Sequence, residues 1–546
     1  MSRFYRVLFF IFAFGACGIT AISAGGATEG AVTAEGTTVA PGPFGAYTPT
    51  ITVRSVRGLP SMAEYRPGDD IHNNVWTRDI EDKLGIRVVY DWVAETGQMM
   101  NRLNLMLAAG DLPDFFTAPS PIFAQLVDAR ELADILEAYD TYATPELKAG
   151  QDAFPEGFES GMYDGQLLGL STGFYNWISM GSAVWLRSDW MEKYDLSPPT
   201  TMDDVVDIME TFVRGESHRT DEIFGVSLSR ELFGGVNTIT PIANAFHAYP
   251  RSWIRNTAGE IVYGSIQPEM KEVLRVLSDW YRRGLISREF GVKDVNAANA
   301  DIVAGRVGVV FGAQWLGWYP LDQLVREDPD AVFKPYTLPT SDGTPVRFQV
   351  DWPLWGYHVV SRRSQFPEAM IKIANLYNKY QFHGTDEEFM TFSDGGEYAV
   401  QRQLSPVEVI DPRQEIENYR QVSHALRTGD DSDLIVSAQA FYENARLWRD
   451  NQDPAGFGRY IQMGPYGSYA ATEDQVNQGL IMLTELRGPD PTSWARDRSV
   501  LDTLEADTFV RIIIGDAPID AFDRFVRDWL SLGGEAATEE INAIYR

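Results

Sequence analysis

Aromatic rings with polar residues beside them are the chemistry-bearing feature of this sequence. Of its 14 Trp and 24 Tyr, several fall in short runs broken by turn-forming residues. These are Tyr175-Asn176-Trp177, Tyr249-Pro250-Arg251-Ser252-Trp253, Gln314-Trp315 with Trp318-Tyr319, and Asp351-Trp352 with Trp355 and Tyr357. A pyranose presents one apolar C–H face and a rim of hydroxyls, so a sugar site needs flat rings for the face and Asn, Gln, Asp or Arg for the rim. Asn176, Trp177, Arg251, Trp253, Gln314, Trp315, Asp351 and Trp355 fit that description, and Asn74 with Trp76 adds a pair at the opening of a helix. For Trp76 a core position on the helix face is an equal alternative. The default place for a Trp is a core, because burying one removes ~200 Å² from water. Trp190, Trp280 and Trp529, inside amphipathic helical patterns, are assigned to it.

Other chemistries find less support. The 6 His are scattered without an i, i+4 pair or HExxH, so a zinc enzyme is not indicated. There is no GxSxG elbow, P-loop or GxGxxG. With 77 acidic residues, two carboxylates near each other prove nothing, and a glycosidase pair stays open. The net charge of −31 argues against nucleic acid or an anionic membrane surface as partners.

The elements that must position these residues read as α/β throughout. Arg3 and Arg6 precede an apolar run from Val7 to Ala16, followed by small residues, which reads as a secretory signal peptide over 1–24. The run is too short to span a membrane. Cys17, the only cysteine, follows Phe14-Gly15-Ala16. It is a candidate acylation site, although Phe14 departs from the aliphatic residue usual there; cleavage after Ala24 is the alternative. Residues 25–50 are Gly/Ala/Thr-rich and read as a flexible tether. Thereafter Thr50–Val56 reads as a strand, Asn73–Leu84 as a helix and Ile86–Tyr90 as a strand. The segment from Arg102 to Phe116 combines helical Leu103, Met106 and Leu107, a left-handed stop at Gly110, the turn Asp111-Leu112-Pro113-Asp114 and a buried strand at Phe115-Phe116.

That last segment resembles the signature of family 1 extracellular solute-binding proteins, the capture subunits of ABC importers. Tyr163-Asp164-Gly165-Gln166-Leu167-Leu168-Gly169-Leu170, Val184-Trp185-Leu186-Arg187-Ser188-Asp189-Trp190-Met191 and Ser197-Pro198-Pro199-Thr200-Thr201-Met202-Asp203-Asp204 resemble further segments of the family in the same order. Ile514 to Asp523 with Gly533-Gly534 is similar to the C-terminal pattern of its long oligosaccharide-binding subgroup, which includes lipoproteins.

The resemblance implies a type II periplasmic-binding fold in which two α/β lobes close over a ligand in the cleft between them. Lobe 1 is expected at 51–182 plus 337–410 and lobe 2 at 183–336 plus 411–546, with crossings near Ser179–Val184, Lys334–Pro339 and Leu404–Asp411. It also implies a non-enzymatic monomer without cofactor, capturing a carbohydrate and delivering it to membrane permease subunits. The membrane would be touched only through a lipid on Cys17, the alternative being a soluble periplasmic protein. A secreted glycosidase or lyase, or a binder of peptides on the same fold, are the rival readings. Some family members carry a calcium loop resembling D-x-N-x-N-x-K-x-D-E. Here Val213 to Glu222 keeps only Asp221 and Glu222 of that pattern and adds Arg214 and Arg219, so no calcium is expected.

Overall fold

The computed structural model describes residues 37–59, 65–95, 98–174, 176–218, 222–393, 401–488 and 490–545. Signal peptide, Cys17, most of the expected tether, Tyr175 and Arg219 to Asp221 lie outside them. Residues 38–546 form one compact unit.

Two sheets organise that unit. In the first, Phe115–Pro119 and Leu170–Thr172 run antiparallel to a central Gly356–Val360. A parallel pair, Ile51–Leu59 with Ile86–Glu95, joins its side where Asp114 N donates to Arg54 O at 3.0 Å. In the second, the order is Phe224–Val226, Val307–Ala313, Ser182–Arg187, Phe333–Tyr336. Side chains alternate across each sheet, as a pleat requires. Phe115 and Phe116 enter different cores. Val184 and Leu186 pack against Met209, Phe212 and Trp280, whereas Ala183 and Trp185 pack against Leu321 and Phe333. Helices cover both faces, and Pro412–Thr428, Val436–Asn451, Phe457–Met463 and Ser468–Asn477 share a smaller core of their own. Trp190, Trp280 and Trp529 are core rings, at 3%, 1% and 0% exposure.

The signature segment folds as its residues dictate. Met99–Ala109 is a helix that buries Leu103 and Met106, and Gly110 closes it at φ 67 with its N–H on Leu107 O and Met106 O. A side chain there would be strained by its own Cβ.

Two expected boundaries move. Residues 38–48, placed in the tether, form a docked hairpin: Thr38–Val39 pairs with Tyr47–Thr48, Tyr47 is 4% exposed, and its hydroxyl donates to Glu368 Oε1 at 2.8 Å. An aromatic ring with a buried partner outweighs the Gly/Pro content around it. The stretch after Tyr336 does not return at once to the first sheet. Leu338, Val346, Phe348 and Val350 pack in the large core of the second, and Phe348–Val350 pairs in parallel with Ile481–Leu483. Only at Gly356 does the chain rejoin the first sheet.

Candidate functional site

The chain passes from one sheet to the other between Thr172 and Ser182, and the part of this turn from Asn176 to Gly181 is held by hydrogen bonds. Asn176, 1% exposed, accepts from Ser179 N through Oδ1 and from Ser179 Oγ through its backbone oxygen, both at 2.8 Å. Trp177 meets Phe154 edge-on, with centroids 5.5 Å apart, and packs against the cores of both sheets. Gln314, 6% exposed, staples the turn from the second sheet. Its N–H and Nε2 donate to Gly181 O and Ser179 O, each at 3.3 Å, and its Oε1 accepts from Gln462 Nε2 at 2.7 Å. Gln314 therefore spends its side chain on shaping the turn, whereas Asn176 uses Oδ1 there and its buried Nδ2 has no partner among the described residues.

Two indoles stand at its ends. Trp355 N donates to Thr172 O at 3.1 Å, and its ring lies over Gly173, where a Cβ would come within 2.8 Å of Trp355 Cγ. Gly173, at φ 119, is required there on both grounds. Trp315 follows Gln314 directly and rests on Gly235, which has no room for a side chain. Trp355 is 57% exposed and Trp315 38%. Large rings partly exposed beside a turn are an arrangement that suits a sugar face.

Asp351 and Arg251 form a neighbouring polar group. Asp351 is solvent-exposed, yet so much protein surrounds it that desolvation holds its carboxyl above the usual range, with Arg498 and Arg251 opposing. That combination describes a residue within a recess. Arg251, at φ 59, lies with its guanidinium 4.2 Å from the Phe233 ring centre and donates through Nε to Glu505 Oε2 at 3.3 Å. With Arg498 and Asp502 it lines a cavity of about 540 Å³. Glu505 is fully buried, and burial pushes its carboxyl up to about 7 against the pull of Arg251 and Ser265.

Three expected site residues are not available to a ligand. Asn74, 0% exposed, is the cap of the helix Val75–Leu84, accepting from Trp76 N and Thr77 N and donating to Asp70 O and Ile71 O. Trp76, also 0% exposed, stacks on Tyr377 at 5.4 Å and donates from Nε1 to Gln401 O at 2.9 Å. Trp253, 2% exposed, sits in an aromatic knot with Tyr263, Trp494 and Trp529. Each occupies a short motif that reads as a loop cluster, while its ring points to a core built by distant segments. Conversely, Arg498, Arg402 and Arg459 reach cavities from helices and turns far along the chain, and no local motif singles them out. Among the described residues no group of three or more His, Cys, Asp or Glu is placed to hold a metal ion, and no helix is long and apolar enough to cross a membrane.

Comparisons with known proteins bear on this geometry. The family model of bacterial extracellular solute-binding proteins matches residues 74–359. A polygalacturonan/rhamnogalacturonan-binding protein of Bacillus subtilis is 20% identical over 43% of this chain and 46% of its own length. A fructooligosaccharide ABC transporter substrate-binding protein of Streptococcus pneumoniae is 23% identical over 42% and 45%. The chain thus spans about half the length of these relatives. Among solved structures, an HMO-binding, ABC-transporter-associated solute-binding protein of Bifidobacterium longum infantis superposes with a TM-score of 0.61 at 14% identity, covering 90% of this chain and 98% of that one. At that identity the likeness shows the fold, the two-lobe periplasmic-binding fold expected from the sequence. The chain belongs to the bacterial extracellular solute-binding protein family.

Proposed function

We propose that this protein captures a carbohydrate, an oligosaccharide rather than a single sugar, in the cleft beside residues 176–181 and delivers it to the membrane subunits of an ABC importer. The observation that carries this reading is the pair of partly exposed indoles, Trp355 and Trp315, anchored at the two ends of one turn between the sheets. Lobe 1 then comprises 51–182 with 351–410, and lobe 2 comprises 183–350 with 411–546. Closure of the lobes brings the two rings onto one ligand. The ligands for which its relatives are named, polygalacturonan/rhamnogalacturonan and fructooligosaccharides, support the class. The protein acts as a binder without turnover, outside the cytoplasm, held to the membrane by a lipid on Cys17.

Titrating intrinsic fluorescence with neutral and uronate oligosaccharides, followed by chromatography of the mixture, tests this. Saturable quenching with the sugar recovered intact is the expected result; cleaved product would make the protein a carbohydrate-active enzyme instead. Cys17→Ala is expected to move the protein from the membrane to the soluble envelope fraction. Unchanged fractionation would remove the anchor from the reading.

A further inference from the structure

Beyond the two indoles lies a second chamber of about 530 Å³, a volume within the ~300–1,000 Å³ of small-molecule sites. Arg402 lines both this chamber and the cavity of about 340 Å³ lined by Trp355. One wall is the π-helical turn Lys379–His383, which contributes Gln381 and Phe382. Turns of this kind are rare and concentrate at functional sites. The facing wall is built from Pro412–Thr428 and Val436–Asn451, together with Trp318 and Arg459.

Three groups on these walls lack what they need. The Arg459 guanidinium is held between two rings, 4.8 Å from the centre of Trp318 and 3.9 Å from that of Phe441. Nη1 donates to Gln462 Oε1 at 3.0 Å, but among the described residues Arg459 has no carboxylate partner and its Nε no acceptor. A cation so enclosed calls for oxygen lone pairs, and burial lowers its pKa despite the field of Glu415. Asn444 Oδ1 is buried without a donor. Trp318 leaves 38% of its surface bare. Lone pairs, an O–H and an apolar C–H face are together the surface of a sugar ring.

The same walls carry charges of both signs. Asp411 stays ionised, its carboxyl held at about 2 because the pull of His383, 3.6 Å away, and hydrogen bonds from Arg413 overcome its burial. Glu415 stands beside it in the lining. The Asp411 side chain is 1% exposed and paired with Arg413, so Glu415 is the carboxylate left in the lining for a sugar hydroxyl to donate to, beside the cations Arg402 and Arg459. We infer that this chamber takes a sugar unit at one end of the oligosaccharide, so that the path from Trp355 past Arg402 to Trp318 and Arg459 sets the length the protein prefers. This rests on the carbohydrate reading above.

The test is calorimetric titration of gluco-, fructo- and uronate-oligosaccharide ladders of two to six units, with wild type, Ala440→Trp and Asn444→Leu. Ala440 lines the chamber, so an indole there fills it without removing a polar partner; Asn444→Leu removes the lone acceptor instead. Wild-type affinity is expected to rise with length and then level off. Both variants are expected to bind the shortest ligand that wild type binds with unchanged Kd and to lose roughly ten-fold on the longest, at wild-type melting temperature for at least one of them. Failure of wild type to bind any ladder overturns both readings. Wild-type affinity independent of length, equal losses at every length, or no loss in a folded variant overturns the chamber alone.

Discussion

Trp76 and Trp355 carry the same side chain into opposite surroundings. Trp76 is 0% exposed, fixed by a capped helix beneath it and by Tyr377, Tyr380 and Phe392 around it. Trp355 is 57% exposed and rests on backbone that only a glycine leaves open. The neighbours in sequence do not decide between the two fates. What decides is whether a distant segment supplies a lid of rings or a bare turn, and this predicts which substitutions read out as stability and which as affinity.

The largest expected effect is on the buried side. Trp76→Ala should cost ~3–5 kcal/mol of folding stability, read by denaturant unfolding, with affinity unchanged in whatever stays folded. An affinity loss without destabilisation would return Trp76 to the site.

Next is the buried charge beside the Trp253 knot. Glu505 titrates near 7 in the folded protein because of burial and near its ordinary carboxylate value when unfolded. Between those values the folded state binds more protons, so stability should fall as pH rises, at up to roughly 1.4 kcal/mol per pH unit. Glu505→Gln should flatten that slope between about pH 4.5 and 7. A slope that persists in the variant assigns the effect elsewhere.

On the exposed side, Trp355→Ala and Trp315→Ala each remove a ring that hides roughly 50–100 Å² on binding, or about 1.2–2.5 kcal/mol. A ten- to fifty-fold weaker Kd is expected, with the melting temperature little changed. If both substitutions unfold the protein while affinity holds, the comparison is drawn the wrong way round. The smallest effect belongs to Asn74→Ala, which removes a helix cap and should cost ~1 kcal/mol, visible in thermal unfolding and invisible in a titration.

Periodicity and capping made much of the fold legible. Leu103, Met106 and Gly110 forecast the helix and its stop, as the structure has them. Exposure was not legible where it depends on tertiary lids: Trp253 lies in a Pro- and Ser-containing run, but Trp494 and Trp529, over 200 residues later, enclose it. Tyr47 looked like tether for the same reason, since Glu368 and Lys372 that hold its hairpin are far along the chain. Arg459 gave no signal at all; its two stacking rings come from separate elements.

The strand Phe333–Tyr336 closes one side of the four-stranded sheet, and its outer row of backbone groups has no neighbour in that sheet. It is only four residues long, it contains Pro335, and it exposes Lys334. Short length, a missing N–H and a lysine are the devices by which sheets refuse to recruit strands from other molecules. On the opposite side, Val226 N is occupied by Leu285 O at 3.0 Å. Both borders of the sheet are therefore blunted against edge-to-edge aggregation, the hazard a chain of this size runs at high concentration while its lobes are still finding one another.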